Sequence, residues 1–244
     1  MRALAALLRI LRALAHALGG LFTIVFLFPR LSEAQQQDRV QAWAARMLQV
    51  LGIRLEVHGL PVARGPCMLV ANHVSWLDIL VLHAGRHCRF VSKAEVRHWP
   101  LIGRLATGAG TLYIARESRR DAMRLVHHMA DALRAGEILA IFPEGTTSDG
   151  QQVLPFHANL LQAAIAAQAP VQPVALDYLN ARTRQRSTRA SYIDNATLVG
   201  SLWRTLTGAD IVASVRYGEP QAAQGRDRRA WSVHLRGEVE RLRS

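Results

Sequence analysis

Within NHVSWLD, residues 72–78, a histidine and an aspartate stand five positions apart, directly after the apolar run Cys67-Met68-Leu69-Val70-Ala71. On one continuous helix a five-residue step would leave His73 and Asp78 about 140° apart. They meet only if His73 lies outside the helix and folds back over its first turn. Asp78 would then hold one imidazole nitrogen and leave the other as a base, the arrangement by which a carboxylate fixes a tautomer and stabilises an imidazolium. Read locally, His73 is equally a core histidine satisfied by a backbone carbonyl. Asn72 and Ser75 beside it are either turn formers or polar groups of a site.

Two further stretches carry polar groups at the ends of apolar runs. IFPEGTTSDG, residues 141–150, leaves a hydrophobic strand through Pro143 into Glu144-Gly145-Thr146-Thr147-Ser148. Gly145 lets a backbone approach a ligand, and the hydroxyls and amides suit a polar headgroup. The same pattern also describes a strand-to-loop turn. GTLYIAR, residues 110–116, places Arg116 just beyond a strand, available to a phosphate or carboxylate. No HExxH or similar metal-binding spacing occurs, and Cys67 and Cys88 give neither a disulfide framework nor a zinc site, so no metal is expected.

The elements that must position these residues read as alternating strands and helices. Short apolar runs at 53–57, 67–71, 88–92, 111–115, 138–142, 171–176 and 211–217 are strand candidates. Helical spacing appears over 40–51, 119–135, 157–168 and 226–243. Interleaving of this kind predicts an α/β domain with a central mixed sheet flanked by helices. Residues 180–200, rich in arginine, serine and threonine, read as a solvated basic loop.

The N-terminus is different in character. From Ala13 to Phe28 only His16 and Thr23 are polar, and Arg2, Arg9 and Arg12 precede this run among leucines. It is shorter than the ~20 residues that span a bilayer core, although a helix starting near Leu7 reaches that length at the cost of burying its arginines, and an amphipathic core helix is the alternative reading. A signal peptide is disfavoured by Arg9, Arg12 and the Pro29-Arg30 step. The expectation is a retained interfacial anchor over residues 1–34 preceding a single α/β domain over 35–244. The formal charge of +12, built from 30 basic residues of which Lys93 is the one lysine, favours anionic partners such as a phospholipid surface. Aromatic residues make up 6% and are not interleaved with the arginine clusters, so no stacking platform for nucleic acid is visible.

In their order and spacing the motifs resemble those of the glycerolipid acyltransferase family of lysophosphatidic acid acyltransferases. NHVSWLD is similar to the first family block, Asn-His-x-x-x-x-Asp; GTLYIAR to the second, FPEGTTS to the third and Val171-Gln172-Pro173-Val174 to the fourth. The likeness runs from about residue 35 to 220 and includes Lys93 and the Pro100-x-x-Gly103 step.

The resemblance implies an O-acyltransferase in which His73 and Asp78 are catalytic and Lys93, Arg116, Glu144, Gly145, Thr146 and Thr147 bind substrate. Acyl-CoA or acyl-carrier protein would be the co-substrate, with no cofactor, and a lysophospholipid, first of all 1-acyl-glycerol-3-phosphate, the acceptor. The place implied is the cytoplasmic face of the inner membrane. The absence of a Gly-x-Ser-x-Gly elbow fits direct transfer without an acyl-enzyme. Thr147 stands where the third block often has arginine, which raises a lysolipid with another headgroup, such as lyso-ornithine lipid, as a second acceptor. Ala115 stands where an acidic residue is frequent. A non-catalytic basic protein that binds membrane or nucleic acid is the reading from a different class.

Overall fold

The computed structural model describes residues 2–114, 119–193, 196–208 and 210–244. Its strands are β1 (Arg54–His58), β2 (Cys67–Ala71), β3 (Arg89–Lys93), β4 (Leu112–Ile114), β5 (Ile138–Ile141), β6 (Val171–Asn180) and β7 (Ile211–Tyr217). They form one sheet in the order β1-β7-β6-β2-β5-β3-β4. All neighbours are parallel except β6 and β7, so the sheet is mixed, as expected.

Helices cover both faces: α1 (Arg2–Phe22), α2 (Glu33–Leu51), α3 (Leu77–Gly85), α4 (Ile102–Gly108), α5 (Arg119–Arg134), α6 (Leu161–Ala167), α7 (Leu198–Thr207) and α8 (Arg228–Arg243). The period-two pleat of β2 divides the core. Leu69 and Ala71 join Leu48 of α2 and Leu82 of α3 on one side. Met68 and Val70 join Met129 of α5, Leu161 of α6 and Trp231 of α8 on the other. All five β2 residues are buried, as a strand covered on both faces requires.

Local chemistry sets the helix ends. Ser32 and Gln35 form a reciprocal capping box at the start of α2, and Gly52, with φ of 75°, closes it. The Arg9 guanidinium lies over Gly52, placing a cation at the negative end of the α2 dipole. Asp227 caps α8 by accepting from the amides of Arg229 and Ala230, both at 2.8 Å.

The helix that begins as α1 continues through a π turn and a 3₁₀ turn to Arg30, giving an apolar stretch, Ala3–Arg30, of 28 residues that contains an 18-residue window of mean hydropathy 1.9. It is longer than the 13–28 run because helix formation carries straight through Arg9 and Arg12. Ala6, Ile10, Ala13 and Ala17, spaced along one stripe, pack inward, while Leu4, Leu7, Leu11, Leu14 and Leu18 face outward. α1 rests on α2, α4 and α7. Its seat on α2 is fixed by Trp43, whose indole N–H donates to His16 O at 3.1 Å and whose ring stacks on the His16 imidazole.

The basic segment is largely exposed and irregular over 182–189, as the sequence suggests, but ordered elements reach into both of its ends. β6 runs four residues past 176, because residues 174–180 pair antiparallel with β7. Arg184 makes a bidentate pair with Glu56 at 2.9 and 2.6 Å, and Arg186 reaches Asp177 at 2.9 Å. From Leu198 the chain is helical, capped by Thr197, which accepts from the Gly200 amide at 3.1 Å.

Candidate active site

Strands β2, β5, β3 and β4 run parallel, so the residues that follow them emerge along one edge, where open sheets of this kind bind ligands. There β2 delivers Asn72 and His73, β5 delivers Pro143 and Glu144, and β3 ends in Lys93. Asn72, buried, continues the sheet with its side chain: its amide nitrogen donates to Leu176 O at 2.9 Å and its oxygen accepts from Leu176 N at 2.8 Å. The turn that follows is thereby tied to β6.

His73 does lie outside α3 and fold back. Its Nδ1 is 2.7 Å from Asp78 Oδ2 in the first turn of that helix. The same oxygen accepts from the Val74 and Ser75 amides at 2.7 and 2.9 Å, and Asp78 Oδ1 accepts from the Tyr178 hydroxyl at 2.6 Å. Asp78 is wholly buried, whereas the His73 side chain keeps a fifth of its surface exposed. Four donors converge on this carboxylate, and the tautomer that completes the set carries its proton on Nδ1 and leaves Nε2 as the acceptor. The ring is held flat against Phe142, with centroids 4.0 Å apart and planes 9° from parallel.

Glu144, expected among the substrate-binding residues, is occupied by the protein itself. It is 3% exposed; Oε2 accepts from the His73 amide at 3.3 Å and Oε1 from the Leu154 amide at 3.1 Å. Burial, outweighing those two bonds, pushes its carboxyl up to about 7. Ser148 closes the other side, its amide donating to His73 O at 2.9 Å. The β2 and β5 loops therefore lock each other through backbone groups.

Other expected residues take different places. Gly145 and Thr146 are exposed, and Gly145, with φ of 71°, adopts a left-handed conformation beside the His157 ring. The Thr147 hydroxyl donates to Tyr192 O, so it turns into the protein. Lys93 is exposed at the same sheet edge. Arg116 lies outside the described residues. Tyr178 and Phe142 were not singled out from sequence: Tyr178 is 100 residues from Asp78 and no spacing rule connects them.

The acyltransferase family profile matches residues 54–177, the span from β1 to β6 that contains this edge. A lyso-ornithine lipid O-acyltransferase of Pseudomonas aeruginosa is 41% identical over 231 residues, covering 91% of this chain and 88% of that one. A 1-acyl-sn-glycerol-3-phosphate acyltransferase of Neisseria gonorrhoeae is 39% identical over 186 residues, 75% of this chain and 72% of the other. The crystal structure of the 1-acyl-sn-glycerophosphate acyltransferase of Thermotoga maritima superposes with a TM-score of 0.70 over 98% of this chain and 94% of that one. At 18% identity it shows a shared fold. With the motif-bearing half of the chain matched by the profile and nearly its whole length by a relative, this protein belongs to the acyltransferase family.

Proposed function

We infer that the protein transfers a fatty acyl chain from a thioester, acyl-CoA or acyl-carrier protein, to the free hydroxyl of a lysolipid at a membrane surface. The observation that carries this reading is the His73–Asp78 pair, with Nδ1 held at 2.7 Å and Nε2 left free at an open sheet edge. His73 Nε2 takes the hydroxyl proton while the alkoxide oxygen bonds to the thioester carbonyl carbon. As the tetrahedral intermediate collapses, the carbon–sulfur bond breaks and the departing thiolate takes the proton back from His73. Asp78 stabilises the imidazolium between the two steps. Lys93, Arg116, Gly145 and Thr146 contact the substrates in this reading, and Glu144 and Thr147, both engaged with the protein, set the backbone from which they act.

Thr147 supports lyso-ornithine lipid as the acceptor. Its hydroxyl is engaged with Tyr192 O, and it lacks the planar fork of an arginine that grips a phosphomonoester in two places. The P. aeruginosa relative, matched over most of the chain, is named for that acceptor. The N. gonorrhoeae relative supports 1-acyl-glycerol-3-phosphate as the second acceptor.

The outward leucines of α1, and the packing of its other side along the domain, support a helix lying in the interface of an anionic leaflet, with the domain on the cytoplasmic side. The test is thioester consumption by purified protein in vesicles containing either acceptor. Turnover with at least one acceptor, falling by roughly 10²–10⁴ in His73→Ala, is expected. Undiminished turnover in that variant would remove the dyad from the mechanism.

A further inference from the structure

The donors to Asp78 are divided unequally between its two oxygens. Oδ2 serves the local turn, taking His73 Nδ1 and the amides of Val74 and Ser75. Oδ1 takes one described donor, the Tyr178 hydroxyl at 2.6 Å, and that bond alone ties the carboxylate to the middle of the sheet. Tyr178 is buried, and burial first, then the Asp78 charge, raises its hydroxyl well above the ordinary value of 10, so it stays a donor at working pH.

The position of Tyr178 is fixed from behind. Asp177, the preceding residue of β6 and therefore on the opposite face, is held by Arg186, Arg216 and Arg243 at 2.9, 3.2 and 2.9 Å. Arg243, at the end of α8, also donates to Gly150 O in the loop that follows Glu144.

We propose that Tyr178 is a positioning residue for the dyad: by saturating Asp78 Oδ1 it orients the carboxylate so that Oδ2 meets His73, and it limits how strongly Asp78 holds a proton on the imidazole. A donor to a carboxylate disperses its negative charge, and the less charge remains toward His73, the less the imidazolium is favoured. Removing the hydroxyl therefore makes His73 easier to protonate, and the base form is lost at a higher pH. Among the described residues, a further titratable group beside this pair is Glu144, from the loop after β5, which bonds the His73 amide. Asp177 and its three arginines are paired with one another on the far face of β6, and Lys93 stands at the end of β3.

This assignment rests on the acyl-transfer reading of the site, and the experiment separates the two. Purified full-length protein in detergent is labelled with ¹⁵N-histidine, and the His73 ring signals are followed through a pH titration in wild type, Tyr178→Phe and the isosteric 3,5-difluorotyrosine replacement at 178. Tyr178→Phe is expected to raise the His73 midpoint by roughly 0.5–1 unit. Difluorotyrosine, a stronger donor, is expected to lower it. The same shifts should appear in a Glu144→Gln background, which excludes titration of Glu144 as their source.

Where acyl transfer is observed, the acid limb of kcat/KM follows these midpoints while the KM for acceptor stays within about twofold. Folded variants with unmoved midpoints overturn the proposal whether or not the enzyme turns over. Absence of turnover in wild type with the midpoints shifted overturns the acyl-transfer reading and leaves the role of Tyr178 standing.

Discussion

Glu144 shows how far a residue's role depends on contacts that its motif does not declare. In the sequence it is one polar residue of FPEGTTS. In the fold it is a buried carboxyl bonded to two backbone amides, with burial raising its pKa from 4.5 to about 7. The proton is held more tightly in the folded than in the unfolded state, so this stabilisation is complete below about 4.5 and lost as pH rises through about 7, a difference on the order of 3 kcal/mol. Thermal unfolding followed from pH 5 to 8.5 should show wild type losing stability across that window. Glu144→Gln, with no proton to lose, should show a flatter profile. The amide also turns an N–H toward one of the two backbone donors, so the variant should start lower at pH 5, by about 1–3 kcal/mol. An equal slope in both proteins would place the titrating group elsewhere. His73 and Asp78 were legible because their spacing admits one geometry of contact. Tyr178 and the inward turn of Glu144 and Thr147 were not, since each depends on a partner brought close by the fold.

At the scale of elements, the strands were readable where apolar residues run unbroken, and β2, β5 and β7 match their predicted limits to within a residue. The end of β6 was not. Asp177 and Asn180 interrupt its apolar run, and only pairing with β7 keeps the segment extended. α7 was missed for a related reason: Leu198, Leu202 and Leu206 recur at helical spacing, but Gly200 and the preceding arginines mask the pattern. Asp177 is the element's fixing point, buried against Arg186, Arg216 and Arg243. Removing one member of a buried ion cluster leaves uncompensated charge. Asp177→Ala should therefore lower unfolding stability in urea by about 3–5 kcal/mol. The loss should be smaller when Arg243 is also replaced by methionine, because fewer unpaired guanidinium groups then remain buried. A single variant within about 0.5 kcal/mol of wild type would show that solvent screens the cluster.

For the whole molecule, the decisive feature is that α1 has two opposed faces with different partners. Its alanine stripe is part of the core, over Trp43 and the end of α2, and its leucine face is half exposed to solvent. Deleting residues 1–28 confounds the two, since it removes the outward leucines and uncovers Trp43 and Leu51 together. Replacing Leu7, Leu11 and Leu14 by serine isolates the outward face, because those side chains are 48%, 54% and 49% exposed and the alanine stripe is untouched. Burying a leucine in an apolar environment is worth about 1.5–3 kcal/mol when complete. Even partial insertion of three such residues makes a change of at least tenfold in vesicle partitioning the expected result. Thermal stability in detergent should stay within a few degrees of wild type. Binding should also weaken with salt, because arginines near an anionic leaflet contribute about 1 kcal/mol each at low ionic strength. A triple variant that still sediments with anionic vesicles would place the membrane contact on another surface. One that loses both binding and stability would make the leucine face part of the fold itself. Loss of binding alone, with thioester turnover kept toward a detergent-dispersed acceptor and lost toward one in vesicles, would separate delivery to the lipid surface from the chemistry of the dyad.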